Sequence, residues 1–351
     1  MGFDFENVVK AHHFVTWGAA GVSRPEGNGV ADARHISFNG SFTVPFFDVA
    51  SSSGGNSLVA SGNGSGGTSA AAASKRMVET WILQEYCDGG TLQDAVFEKG
   101  SGAFFNTQMV PQMGVMLHML LGVARGMEWL HARNVLHGDL KAANVLLKSP
   151  DGGRGAAASF SGSHSGAASQ RLGGGPGAAE AARAAVAESV MAMVPKVADF
   201  GLSRIMGEGA THLSTHTLGT ITHQCPELIR TGRLSKPADA FSFGVVMWEV
   251  IMAANPWGGK MMGEIVTAVM EGRRLTFGPA APQAYVELAK DCMRGVSERR
   301  PTFDQIVARL QAMLGQQDEL QAEAEAGAAN AAAAAAAQET PVAEDGWRRV
   351  A

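Results

Sequence analysis

Cysteine is scarce in this chain: three in 351 residues, at Cys87, Cys225 and Cys292, far apart and with no C-x-x-C pair among them. That spacing excludes a disulfide framework and a cysteine-based zinc site, and it fits a reduced intracellular compartment, the cytoplasm. Positive charge is not in excess either. The formal net charge is -5 and no long basic run occurs, so a nucleic-acid partner is not expected. Long apolar runs are missing. The richest, Met113 to Ala124, contains His118 and falls short of the roughly 20 residues a membrane-crossing helix needs. Asp4 and Glu6 interrupt any apolar opening, so no secretory signal peptide is expected. Glu6 also stands where N-myristoylation of a Met1-Gly2 start requires Ser or Thr.

What is present is apolar enough for a sizeable core, with hydrophobic residues making up 46% of the chain. The length predicts two domains or one two-lobed domain. Ala11 to Trp17 reads as a β-branched and aromatic strand entered by a turn at Phe5–Lys10. Residues 18–76 then form a low-complexity insert of Gly, Ser, Ala and Asn, too poor in apolar surface to offset its ordering entropy. One more apolar patch inside it, Ile36 to Val49, either docks on the body or serves as a short recognition segment. A second strand, Glu79 to Cys87, ends at Asp88-Gly89-Gly90, and Thr91 is placed to cap the next helix.

Met116, Met119, Leu120, Val123, Met127 and Leu130 recur at helical spacing, which predicts a core-facing stripe ending near Asn134. A second insert covers residues 149–195, Gly/Ser/Ala-rich at first and helix-prone towards Met193. It is expected to loop out on the surface without chemistry, since closure entropy grows only logarithmically with length. Pro237 to Val250 is apolar nearly all round and must be buried. Arg299 to Phe303 opens a last amphipathic helix running to about Leu314. The tail, residues 315–351 with an alanine run from Ala331 to Ala337, reads as marginal helix or disorder.

The chemistry concentrates in His137-Gly138-Asp139-Leu140-Lys141-Ala142-Ala143-Asn144-Val145-Leu146-Leu147. A carboxylate, an ammonium and an amide sit close together between apolar residues, as a rigid loop needs in order to hold one acid at a hydroxyl and one amide oxygen at a metal. This stretch resembles the catalytic loop of eukaryotic protein kinases, H-R-D-L-x-x-x-N, with Gly138 in place of the arginine. Lys196-Val197-Ala198-Asp199-Phe200-Gly201, Cys225-Pro226-Glu227, the helix through Asp239 and Arg300-Pro301 come after it in that family's order.

The resemblance implies an α+β, two-lobed kinase fold with an incomplete N-lobe, strands 1–3 and helix C missing, and a mainly helical C-lobe. Residues 1–92 would hold the partial N-lobe and hinge, 93–314 the C-lobe and 315–351 the tail. It implies ATP and Mg²⁺ as cofactors. Asp139, Lys141 and Asn144 would be catalytic, with Asn144 and Asp199 as metal ligands. Gln84 would be the gatekeeper, Glu85 and Cys87 would offer hinge backbone to adenine, and Leu146 would pack beneath it. Thr220 would lie in the substrate-facing segment. His137, Phe200, Gly201, Asp239 and the ion pair Glu227–Arg300 would be architectural.

Lys141 and Gly219-Thr220 resemble serine/threonine kinases. The stretches Glu85 to Leu92 and Phe241 to Glu249 resemble the tyrosine-kinase-like group. The expected activity is therefore transfer of phosphate to serine or threonine of protein substrates in signal transduction.

Two departures matter. No G-x-G-x-x-G or V-A-x-K precedes Gln84, which keeps open an alternative, a pseudokinase or scaffold without turnover. Gly138 removes the arginine that in many kinases pairs with an activation-loop phosphate. Replacing both Thr215→Ala and Thr217→Ala should therefore leave transfer activity within about twofold, since no phosphate there is needed to order the segment. A fall to background in a steady-state assay would contradict this.

Overall fold

The computed structural model describes residues 5–18, 78–97, 101–106, 108–150, 176–207, 210–214 and 219–338. Most of both low-complexity inserts, Thr215, Thr217 and residues 339–351 lie outside the described residues. The chain divides into two compact units, Met1–Tyr86 and Cys87–Ala351.

In the first unit, strands β1 (Ala11–Gly18) and β2 (Val78–Gln84) pair antiparallel. The register runs from Ala11 opposite Gln84 to Gly18 opposite Val78, with one irregularity between Ala11 and His13. The ladder is extended at its base: Glu85 N–H donates to the Lys10 carbonyl at 2.9 Å, and Lys10 N–H donates to the Glu85 carboxylate at 2.7 Å. Both expected strands therefore form, and they pair across the long insert.

In the second unit, Gly89 and Gly90 ladder onto Leu147: Gly89 N–H donates to the Leu147 carbonyl at 2.8 Å, and Leu147 N–H donates to that of Gly90 at 2.9 Å. Helix α1 (Leu92–Phe97) starts as expected at Thr91. Thr91 Oγ1 accepts the Asp94 N–H at 3.0 Å and the Asp94 carboxylate accepts the Thr91 N–H at 3.2 Å, a reciprocal cap that satisfies two orphan donors. Helix α2 (Ser101–Phe104) leads to α3 (Met113–Ala132). All six residues of the predicted stripe are 0% exposed, and Leu117, Leu121 and Ala124 are buried too. So α3 is a central helix, enclosed on nearly every side. Asn134, at φ +58°, turns the chain out of it.

Three short antiparallel strand pairs come after α3. Strand β3 (Val135–Leu136) and strand β4 (Val145–Lys148) flank the loop of interest. Helix α4 (Pro176–Met191) then leads directly into β5 (Val194–Val197), which pairs with β4 from Val145 opposite Val197 to Lys148 opposite Val194. Strand β6 (Arg204–Ile205) pairs with β3, and β7 (Leu213–Ser214) pairs with Arg233 and Leu234.

The expectation that residues 149–195 loop out is corrected at their C-terminal end. Helix α4 packs against α2 and α3, with Ala187, Val190 and Met193 buried. Alanine gives the helix its propensity, but the two larger apolar side chains near its end give it a seat.

Helix α5 (Pro226–Thr231), strand β8 (Arg233–Leu234, the partner of β7) and helix α6 (Lys236–Met252) come next. As its composition requires, α6 is buried almost throughout, including two acids, Asp239 and Glu249. Helices α7 (Met262–Met270) and α8 (Gln283–Cys292) complete the approach to the last helix. A Cβ on Gly244 would lie 2.8 Å from the Cys292 Cβ, so glycine is what lets α6 and α8 approach. The last helix, α9 (Phe303–Gln338), packs its first turns on α3 through Ile306 and Leu310. It continues well past Leu314, so the tail is helical to Gln338. The body is mainly helical with short strand pairs, the α+β class expected. Among the described residues no helix is long and apolar enough to cross a membrane.

Val190→Ala tests the seating of α4. With Val190 0% exposed, the lost methyl groups and the residual cavity should lower unfolding stability by about 2 kcal/mol. A denaturant midpoint that falls with unchanged slope is the expected reading. A looped-out segment would leave it within about 0.5 kcal/mol.

Candidate active site

Helix α6 holds the entry to the loop. Asp239 Oδ2 accepts the His137 N–H at 2.9 Å and lies 2.9 Å from His131 Nε2, while Oδ1 accepts the Gly138 N–H at 2.9 Å. Burial alone would raise this carboxyl, but the hydrogen bond and charge of His131, with the loop amides, hold it below the usual carboxylate range. Gly138 sits at φ +79° with Leu202 O and Leu234 Cδ2 each 3.2 Å from where a Cβ would be, so glycine suits both the turn and the space.

His137 passes this anchoring to the Asp-Phe-Gly segment. Its Nδ1 accepts the Asp139 N–H at 3.2 Å, so Nε2 carries the hydrogen that meets the Ala198 carbonyl at 2.9 Å. Ala198 N–H in turn donates to the Asn144 carbonyl at 2.9 Å. Asp199, the next residue, is thus tethered to the loop through both polar groups of Ala198. It is exposed, at φ +62°, with its carboxylate accepting the Gly201 N–H at 3.3 Å. Phe200 stacks obliquely on His137, ring centroids 5.6 Å apart.

At the centre, Asp139 is surrounded by donors. Oδ1 accepts the Thr220 N–H at 2.7 Å; Oδ2 lies 3.1 Å from Lys141 Nζ and 3.2 Å from Asn144 Nδ2. Burial opposes ionisation here, but Thr220 and Lys141 outweigh it and hold the Asp139 carboxyl below its ordinary value. Lys141 Nζ also donates to Thr220 Oγ1 at 2.7 Å. A Cβ on Gly219 would come within 2.7 Å of Asp139 Oδ1 and 2.9 Å of the Gly138 carbonyl, so no side chain fits there.

Asn144 Nδ2 donates to the Asp139 carbonyl at 2.8 Å. This fixes the amide's orientation and leaves its oxygen as an acceptor or ligand. Asn144 and Asp199 thus offer hard oxygen donors. Among the described residues no group of three His, Cys, Asp or Glu side chains forms a metal cage. A magnesium ion held chiefly by phosphates and water through one carboxylate and one amide suits this donor set.

Leu146 lies half-exposed on β4 between buried Val145 and Leu147. Cys87 is half-buried and forms no disulfide. Gln84 and Glu85 belong to the first unit, Gln84 exposed at the end of β2 and Glu85 engaged with Lys10.

Glu227 and Arg300 form the expected fork, at 2.6 and 2.8 Å. The guanidinium also donates to the carbonyls of Pro237 and Arg294, which ties α5, α6 and the start of α9 together. Burial works against both charges. The fork overrides it, lowering the Glu227 pKa and raising that of Arg300. Burial, with Glu227 beside it, pushes the Cys225 thiol up to about 12.

Three contributors were not singled out from the sequence: Glu249, His223 and Ser203. Ala142 N–H donates to Glu249 Oε2 at 3.1 Å, His223 Nε2 lies 3.0 Å from the same oxygen, and Ser203 Oγ donates to the His137 carbonyl at 3.1 Å. A usable signal existed for the first, since an acid within an otherwise buried helix must find donors.

Residues 69–310 match the family described as protein tyrosine and serine/threonine kinase, and the chain belongs to that family. It is similar to ephrin type-A receptor 8 of Homo sapiens, at 30% identity over 246 residues covering 69% of this chain and 20% of the receptor. Ephrin type-A receptor 5 of Gallus gallus is 28% identical over 236 residues, covering 66% of this chain and 18% of the receptor. Ephrin type-B receptor 4 of Mus musculus is 28% identical over 242 residues, covering 68% and 20%. The chain spans about a fifth of the length of these relatives.

Asp239→Asn should cost about 3–5 kcal/mol of unfolding stability, because the amide turns a donor towards groups that need an acceptor. The folded carboxyl titrates below its unfolded value, so its contribution is complete above the ordinary carboxylate range and lost as pH falls from there through the lower folded value. Stability measured against pH should therefore show a shallower acid limb in the variant.

Proposed function

We propose that the chain is a protein serine/threonine kinase acting on protein substrates in intracellular signalling, with ATP as phosphoryl donor and Mg²⁺ as cofactor. The observation that carries this reading is the ionised Asp139 held between the Lys141 ammonium and the Thr220 amide. Thr220, Lys141 and Asn144 all face this carboxylate and fix its orientation. A substrate hydroxyl reaching it would give up its proton to the carboxylate, which would aim the oxygen at phosphorus. Lys141 supplies positive charge beside that oxygen.

Asn144 and Asp199 are the groups that would hold Mg²⁺, which supplies charge neutralisation at the phosphates. Leu146, Gln84 and the backbone of Glu85 and Cys87 are assigned to the adenine. The link from Lys141 to the Thr220 hydroxyl supports serine/threonine over tyrosine, a choice that the family's description leaves open. A second reading, a partner-binding scaffold without turnover, draws support from the lack of a G-x-G-x-x-G and a V-A-x-K ahead of Gln84.

Radiolabel transfer from γ-labelled ATP to a mixed protein substrate tests both. Asp139→Asn should lower the rate by about 10²–10⁴-fold, and the labelled products should be phosphoserine and phosphothreonine. Labelled phosphotyrosine would overturn the substrate assignment. Equal signal from wild type and variant would leave the scaffold reading.

A further inference from the structure

Helix α6 carries a second buried acid that the transfer chemistry leaves unused. Glu249 is 4% exposed, and so is His223 beside it. Glu249 Oε2 accepts the Ala142 N–H at 3.1 Å and faces His223 Nε2 at 3.0 Å. A carboxylate at this site only accepts, so Nε2 carries a hydrogen. Nδ1, 2.9 Å from Thr222 Oγ1, then accepts from that hydroxyl when the ring is neutral and donates to it when the ring is charged. The contact survives either state.

The backbone around the imidazole is held at several points. Ser242 Oγ donates to the His223 carbonyl at 3.0 Å, Trp257 Nε1 to that of Thr222 at 3.2 Å, and Gln224 Nε2 to that of Gly219 at 3.1 Å. His223 is therefore a fixed donor rather than a mobile surface group.

Its place in the chain gives the contact its meaning. His223 closes the turn Ile221–His223 directly after Thr220, and Ala142 comes directly after Lys141. Two links thus join the same two segments, Lys141 to Thr220 directly and Ala142 to His223 through Glu249. Asp239 holds the loop at His137 and Gly138; Glu249 holds it beyond Lys141. We infer that His223 is a positioning residue for phosphoryl transfer: acting through Glu249, it fixes the Ala142 amide and thereby aims the Lys141 ammonium at Asp139 and Thr220. Without His223 the Glu249 carboxylate is buried with too few donors, and it turns towards water rather than towards Ala142. The assignment of a transfer step rests on the proposed kinase activity, while the bracing of Ala142 stands without it.

The test uses the full chain and two substitutions. His223→Leu removes the donor at similar volume, and His223→Gln keeps an amide donor able to reach Glu249. In His223→Leu the Ala142 amide should exchange hydrogen at least about tenfold faster. Turnover should fall about 10- to 100-fold with KM for ATP within about twofold, as a misaimed group predicts. His223→Gln should bring both readings back to within about threefold of wild type. Should His223→Leu not fold, His223→Asn, whose shorter amide falls short of Glu249, takes its place with the same expectation.

Unchanged exchange at Ala142 in the donor-less variant, or a glutamine variant as impaired as the leucine one, would overturn the inference and leave His223 a space-filling residue. Wild-type protein that transfers no phosphate would overturn the kinase reading instead, and the exchange measurement would still decide the brace.

Discussion

A carboxylate removed from water must be given donors, and most of this site derives from how α6 meets that demand. The helix carries Asp239 and Glu249 in a surface that is mostly apolar and almost wholly enclosed. Neither acid is tolerable alone in such a place, since desolvation of an ion costs several kcal/mol. The donors come from the loop before Asn144: the His137, Gly138 and Ala142 amides, supplemented by the His131 and His223 rings. Hydrogen bonding that the helix needs is therefore the same bonding that holds the loop still. The cost of burying two acids is turned into the rigidity of a segment too short to be rigid by itself.

That rigidity reaches the chemistry through short covalent steps. Asp139 comes after two residues whose amides are pinned, and Asp199 comes after Ala198, which bonds to both His137 and Asn144. Positioning to a fraction of an ångström is what phosphoryl transfer asks of a protein, since it contributes little covalent chemistry. The low Asp139 pKa belongs to the same logic: the donors that orient the carboxylate also keep it ionised. Glu227–Arg300 plays a different part. It is a bidentate fork whose guanidinium is completely enclosed and also meets two backbone carbonyls, so a costly buried cation is matched on several sides.

Periodicity and local chemistry were legible in the sequence. The α3 stripe is 0% exposed at each predicted position, the Thr91 cap forms, and α6 is buried as its composition demands. The loop around Asp139 was legible because its polar residues lie within a few positions of one another. Illegible were contacts between distant residues of ordinary type. His223 and Glu249 are 26 residues apart, and nothing local says that this histidine, rather than His212 or His118, meets that acid. The seating of α4 was hidden for a related reason: alanine-rich composition speaks for a helix but not for what Val190 and Met193 touch. The helical run of α9 past Leu314 follows its alanine-, glutamine- and glutamate-rich composition, and from Gly315 to Glu323 its residues are mostly exposed.

Where the two inserts fall explains how the site tolerates them. Each interrupts a pair of antiparallel strands, β1 with β2 and β4 with β5. In such a pair the ladder fixes where the chain leaves and where it returns, whatever lies between, and lengthening the excursion adds only a slowly growing entropic cost. For the second insert the geometry is sharper. Asn144 immediately precedes β4 and Asp199 lies two residues past the end of β5, with Val145 opposite Val197. The functional residues therefore sit at the end of the ladder farthest from the insert, where Lys148 faces Val194. Strand register, not the length of the connection, sets their separation.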